Sequence, residues 1–139
     1  STNTLNTVDK GTGGYDSYSD VFYAFTDILI HGSAEDMIDL YSDQQLSSVE
    51  ARGFEIAAYK AWLIDEWQTS WESVKDTNTW MYELKEVTEL NKDDIDEKYG
   101  KNDATPDAAV KMKIVGKSVP DKTFSIFAVC YDGRWYLST

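Results

Sequence analysis

Hydrophobic residues in the first half of the chain recur at helical spacing, and those in the second half alternate. Val21, Phe22, Phe25, Ile28 and Leu29 form the first helical stripe. Ser17 or Ser19 can cap its start by accepting from free backbone N–H groups, and Gly32 is expected to end it in the left-handed conformation. Ser33-Ala34-Glu35-Asp36, a capping box with Asp in place of Glu, opens a short helix carrying Met37, Leu40 and Tyr41. Ser42 or Asp43 caps another short turn, holding Leu46 and Val49 and ending at Gly53. The longest helix is predicted from about Glu55 to Val74. At ~100° per residue, Ile56, Tyr59, Leu63, Ile64, Trp67, Trp71 and Val74 share one broad stripe. A stripe that heavy calls for a large concave partner. Trp62 falls on the opposite side, where it either packs under the first two helices or stays exposed.

From Thr79 the period becomes two. Trp80, Tyr82 and Leu84 alternate with Met81, Glu83 and Lys85, after which Val87 and Leu90 change phase. A bulge near Lys85-Glu86 would explain the change and bend the sheet. Asn91-Lys92-Asp93-Asp94 caps a helical turn with Ile95 and Tyr99 on one face and Gly100 as its stop, and 101–107 is a loop containing Pro106. Three strands follow. Val110, Met112 and Ile114 alternate with Lys111 and Lys113, giving a half-buried strand, and Pro120-Asp121 suits a tight turn with Pro at the first central position. The strand from Lys122 to Tyr131 is apolar on both faces and should be covered on both. Asp132-Gly133 is a strong hairpin signal because both residues must take positive φ, and Arg134 to Ser138 is the return strand.

Helices followed by an antiparallel meander predict one α+β domain over residues 18–139. Residues 1–17, STNTLNTVDKGTGGYDS, lack periodicity and read as a flexible leader. The leader's composition suits a tether following an export signal or lipid anchor, which predicts an extracytoplasmic location and an N-terminal lipid anchor. A length of 139 residues fits a single domain that folds without disulfides or a structural metal.

Composition narrows the function. There are 25 acidic against 13 basic residues, a net charge of −12, which disfavours nucleic acid and anionic membranes as partners. A single Cys and a single His exclude an intrachain disulfide and a Cys/His zinc cluster. No apolar run approaches the ~18–20 residues of a membrane span. Gly11, Gly13 and Gly14 follow no strand, so no phosphate loop is present and no cofactor is expected.

The closing stretch FSIFAVCYDGRWYLS is similar to the last hairpin of the nuclear transport factor 2-like (cystatin-like cone) superfamily. The order of elements over residues 17–139 resembles that of exported lipoprotein domains of Gram-positive bacteria. The resemblance implies a curved antiparallel sheet coned around the long helix, with a pocket at the mouth. Some members are isomerases, dehydratases or hydrolases and others only bind, so function stays open. No enzyme motif of the superfamily is present to carry over a catalytic residue.

Several residues invite sharper readings. Asp27 and His31 lie one helical turn apart, as in an acid–base dyad, but they point away from the stripe and suit a surface pair. Asp93, Asp94, Asp96 and Glu97 fail the calcium-loop pattern and have a simpler cause in the helix dipole; the loop acids Asp103 and Asp107 would complete a weak site if they converged on the cluster. Cys130 reads as a buried inert thiol. No catalytic or metal-binding residue is assigned. Ligand-binding candidates are Trp62, whose ring, if exposed, would suit a partner or a sugar, and Trp80, Tyr82, Phe127, Tyr131 and Trp135, which either line a cone pocket or fill the core.

The expectation is therefore a non-catalytic extracytoplasmic binding or interaction module, monomeric or homodimeric, taking an unknown small molecule or protein. Its alternative is a small pocket enzyme acting on an apolar molecule, which would need an acid or base buried among aromatics.

Overall fold

The computed structural model describes residues 13–74 and 78–138; residues 1–12 of the expected leader and the side chain of Val74 lie outside the described residues. Helix α1 spans Tyr18–His31, a 310 turn covers Ala34–Leu40, and α2 spans Asp43–Ser48. A second 310 turn, Glu50–Arg52, leads to α3, Ile56–Val74. Strand β1, Met81–Glu89, is followed by α4, Lys92–Tyr99, and then by β2, Ala108–Lys117, β3, Lys122–Tyr131, and β4, Arg134–Ser138. The sheet is an antiparallel meander in the order β1-β2-β3-β4. The protein is therefore α+β. No helix among the described residues is long and apolar enough to cross a membrane.

Local chemistry sets the boundaries. The Ser17 hydroxyl accepts from Asp20 N–H at the start of α1, Ser42 Oγ from Gln45 N–H at the start of α2, and Asn91 Oδ1 from Asp94 N–H at the start of α4. Ser33 N–H donates to Asp36 Oδ2 at 2.8 Å, so Asp serves in the capping box; the segment it opens is a 310 turn. Gly32 differs from expectation: it is extended, at φ −110°, and not left-handed. A Cβ there would lie 2.6 Å from the Asp36 carboxylate, so close approach explains the glycine.

In the sheet, the pairing of β1 with β2 slips between Leu84 and Glu86. This bulge switches the parity of β1 and keeps Val87 with Tyr82 and Leu84 against the main core. Asp132 and Gly133 both take positive φ, joining β3 to β4. The Pro120 turn differs from the expected tight turn, since the Val119–Pro120 peptide is cis and Ser118 N–H donates to Asp121 Oδ1.

Strand β3 is covered on both sides. Ile126 and Ala128 join the larger cluster, built with Val21, Phe25 and Leu29 of α1, Met37 and Leu40 of the first 310 turn, Leu46 of α2 and Leu63 and Trp67 of α3. Val129 and Tyr131 face a second cluster with Ala109 and Ile95, flanked by Leu90, Tyr99 and Tyr136. The helix lying on β3 and β4 is α1; the long α3 lies chiefly against the first 310 turn and α2. The concave partner expected for its stripe is thus a helical layer, in which Trp67 meets Phe25 at 5.6 Å between ring centroids.

Residues 13–17, assigned to the leader by composition, belong to the fold. Tyr15 is 3% exposed and exchanges backbone hydrogen bonds with Trp135, adding a one-residue bridge to β4. Arg134 fastens the segment, with its guanidinium donating to Gly14 O and pairing with Asp16. A Cβ on Gly14, whose φ is +79°, would lie 2.8 Å from the Tyr136 ring.

Trp67 Nε1–H donates to the buried Tyr41 hydroxyl at 3.0 Å. Tyr41→Phe would strand that N–H, and we expect a loss of about 1–3 kcal/mol in urea unfolding. Burial pushes the Tyr41 phenol well above its usual range, with the Trp67 hydrogen bond opposing it. Above ~10 the unfolded phenol ionises while the folded one keeps its proton, so stability should fall as pH rises. The thermal midpoint of Tyr41→Phe should decline less steeply above pH ~10 than that of the wild type.

Candidate functional site

A cleft of about 510 Å³ opens where the two covers of the sheet meet beside the end of β4. Its volume is within the ~300–1,000 Å³ usual for small-molecule sites. One wall carries Gln45 and Ser48 of α2, Arg52 of the second 310 turn and Tyr59 of α3. Opposite are Lys98 and Tyr99 at the end of α4 and Asn102, Asp103 and Ala104 of the following loop, with Ser138 between the walls.

Each wall is positioned by packing beneath it. Leu46 and Val49 bury the apolar side of the α2 segment, which turns Gln45 and Ser48 toward the cleft. Ile95 anchors α4 on the sheet, and Gly100, at φ +83°, ends the helix so that the chain turns into the loop. That loop is tied down at both ends. Asn102 Oδ1 accepts from Ala104 N–H, Thr105 Oγ1 bonds Asn102 N–H and Gly100 O, and Tyr131 donates to Ala104 O at 2.6 Å.

Between the walls runs a relay of hydrogen bonds. Gln45 Nε2 donates to Ser138 Oγ at 3.2 Å, and Ser138 Oγ donates to the Tyr99 hydroxyl at 3.0 Å. Gln45 Oε1 is buried and has no hydrogen-bond partner among the described residues. Burial raises the Tyr99 pKa against the opposing Ser138 hydrogen bond, and it raises that of Tyr59 against the nearby Arg52 charge. Both phenols therefore stay neutral at neutral pH, as hydrogen-bonding groups and not as bases. The Tyr59 ring stacks on Trp62 at 5.8 Å and 21°, and Trp62 is 53% exposed. The cleft thus has an aromatic shelf beside it.

The six aromatic candidates do not form one site. Period-two geometry puts Tyr82 and Trp135 on the face of the larger cluster and Phe127 and Tyr131 on the other. Tyr82 packs edge-on against Phe124, and Trp135 edge-on against Tyr18. Tyr131 is buried. Phe127 lies under Lys98, whose Nζ is 4.1 Å from the ring centroid. Trp80 is 65% exposed at the start of β1. None of the six lines the cleft, although Trp62 adjoins it through Tyr59.

His31 is exposed in the last turn of α1, one turn after the half-buried Asp27. Asp96 pairs with Lys92 and Lys101, Asp107 accepts from Asp132 N–H, and Asp103 faces the cleft. Among the described residues no three His, Cys, Asp or Glu side chains converge as metal ligands. Cys130 is buried, which raises its thiol pKa against a backbone hydrogen bond from Gly133.

Gln45, Ser48, Arg52 and Ser138 were not flagged by sequence pattern. The available signal is weak: polar residues at 45, 48 and 52 recur at helical spacing around Leu46 and Val49, as on any solvated helix face.

Removing the middle of the relay tests its structural weight. Ser138→Ala takes away the only partner of the Gln45 amide in the relay and one of Tyr99's, and should cost about 1–3 kcal/mol in denaturant unfolding. A change within error would show that the relay contributes nothing to the fold. Compared with family models, curated proteins and solved structures, the chain matches none.

Proposed function

We propose that this protein is a non-catalytic binding module that takes a small hydroxylated molecule in the cleft between α2–α3 and the α4 loop. The observation that carries this reading is the Gln45–Ser138–Tyr99 relay between the walls, beside the Tyr59–Trp62 aromatic shelf. Amide and hydroxyl groups exchange hydrogen bonds with a polyol, and a stacked aromatic surface covers the apolar face of a sugar ring at little entropic cost. The neutral phenols can donate hydrogen bonds to such a ligand and accept them from it.

The wider setting is part of the same proposal. Helices followed by a meander closing in an Asp132-Gly133 hairpin support a nuclear transport factor 2-like domain with a cone-like sheet. The Ser/Thr/Asn/Gly-rich first residues suit a tether to the outside of a bacterial cell. The cleft replaces the aromatic strand faces as the ligand site of that domain.

Amide NMR titration of the intact chain with a panel of monosaccharides, uronic acids and sugar phosphates tests the reading. Shifts should centre on Gln45, Ser48, Lys98 and Asn102, and Gln45→Ala should weaken binding about tenfold, the size of one hydrogen bond. Shifts centred on Trp80 and the start of β1 would move the site elsewhere. Product resonances during the titration would replace binding with catalysis.

A further inference from the structure

Two cationic residues, Arg52 and Lys98, are among those that line the cleft, in a chain whose net charge is −12. Arg52 closes the second 310 turn and Lys98 sits in the last turn of α4. The only carboxylate among the ten lining residues is Asp103, so the lining carries a net charge of +1 from two cations and one acid. Lys92 and Lys101 pair with Asp96, Lys117 with Glu83 and Asp121, and Arg134 with Asp16, while Lys60, Lys85, Lys111 and Lys113 form no ion pair among the described residues but do not line the cleft. Among the described residues neither Arg52 nor Lys98 forms an ion pair. The Lys98 ammonium lies over the Phe127 ring instead, which holds it in place without neutralising it.

From this we infer that the ligand is acidic: a hydroxylated small molecule bearing an oxyanion, carboxylate or phosphate, held between Arg52 and Lys98. The inference rests on the cleft being the ligand site. A planar guanidinium matches the two oxygens of an oxyanion, and an ammonium on the opposite wall acts as a point charge that a bound anion can bridge. The other end of the ligand meets different chemistry. Gln45 and Ser138 line the cleft with an amide and a hydroxyl, groups that exchange hydrogen bonds with a ligand's hydroxyls. The Tyr99 hydroxyl, already accepting from Ser138, has its own proton to give. A neutral sugar would satisfy the relay and leave both cations unanswered. A bare inorganic anion would do the reverse. An acidic sugar or a similar hydroxy acid satisfies both.

The test is amide NMR titration of the full chain with D-glucuronate, D-glucose 6-phosphate and D-glucose, at ionic strength matched with NaCl. Wild type is compared with the double variant Arg52→Gln, Lys98→Gln, whose fold is checked by its spectrum. At least one acid should bind about tenfold tighter than glucose, and the double variant should lose that margin, one charge-assisted contact being worth about that factor. Glucuronate alone would identify a carboxylate ligand, glucose 6-phosphate alone a phosphate, and both a general oxyanion site. Glucose binding as tightly as both acids, or acid binding unchanged in the double variant, would overturn the inference and leave the cleft as a polar-ligand site. Cleft amides that respond to none of the three would overturn both readings.

Discussion

Strand β3 carries apolar side chains on both faces, and most of the architecture answers that demand. A strand of this kind must be shielded from water twice. On one side α1 lies across β3 and β4, with α2, α3 and the first 310 turn completing the cover. On the other, α4 brings Ile95 against Ala109, Val129 and Tyr131. The two covers come from distant parts of the chain and are separate hydrophobic clusters. Their meeting line beside the end of β4 is the cleft, where polar groups from both sides converge on Ser138.

The seam also explains the site's chemistry. Residues at the border of two clusters cannot all be apolar, because backbone ends and helix termini there need partners. Tyr131 serves that need, reaching from the second cluster to the Ala104 carbonyl of the α4 loop, while Gln45, Ser138 and Tyr99 bond one another's side chains across the seam. The same phenols are raised in pKa by the burial that fixes them, so they work as neutral hydrogen-bonding groups. Charge enters from outside the seam, at Arg52 and Lys98. In so acidic a protein, a lining with two cationic residues and one acid departs from the overall charge balance.

The other edge of the sheet has a different character. Strand β4 is bridged by Tyr15, and Arg134 fastens the segment around it. Strand β1 carries its bulge and an exposed Lys85, features that blunt pairing with another chain. Trp80 and Val119 stand exposed at that end of the sheet. Trp62 is the exposed aromatic that adjoins a polar cleft, and this distinguishes it from them.

What the sequence determined by itself is local. Caps at Ser17 or Ser19, at Ser42 or Asp43 and at Asn91, the bulge near Lys85-Glu86, the hairpin at Asp132-Gly133 and the two-faced burial of β3 each follow from side chains within a few residues of one another, and the structure selects Ser17 and Ser42. Alternation identified aromatic positions but not which face each residue serves, since parity between strands depends on the bulge and on register. Tyr82 and Phe127 therefore looked like partners and lie on opposite faces. Tertiary structure alone decided the rest: that Tyr15 joins the sheet, that α1 and not α3 lies on β3 and β4, and that residue 45 meets residue 138. The last pair is 93 positions apart, and no periodicity or spacing encodes a contact between side chains that far separated. A polar cleft at a seam between clusters has no repeat and no motif, so only the packing that creates the seam makes it visible.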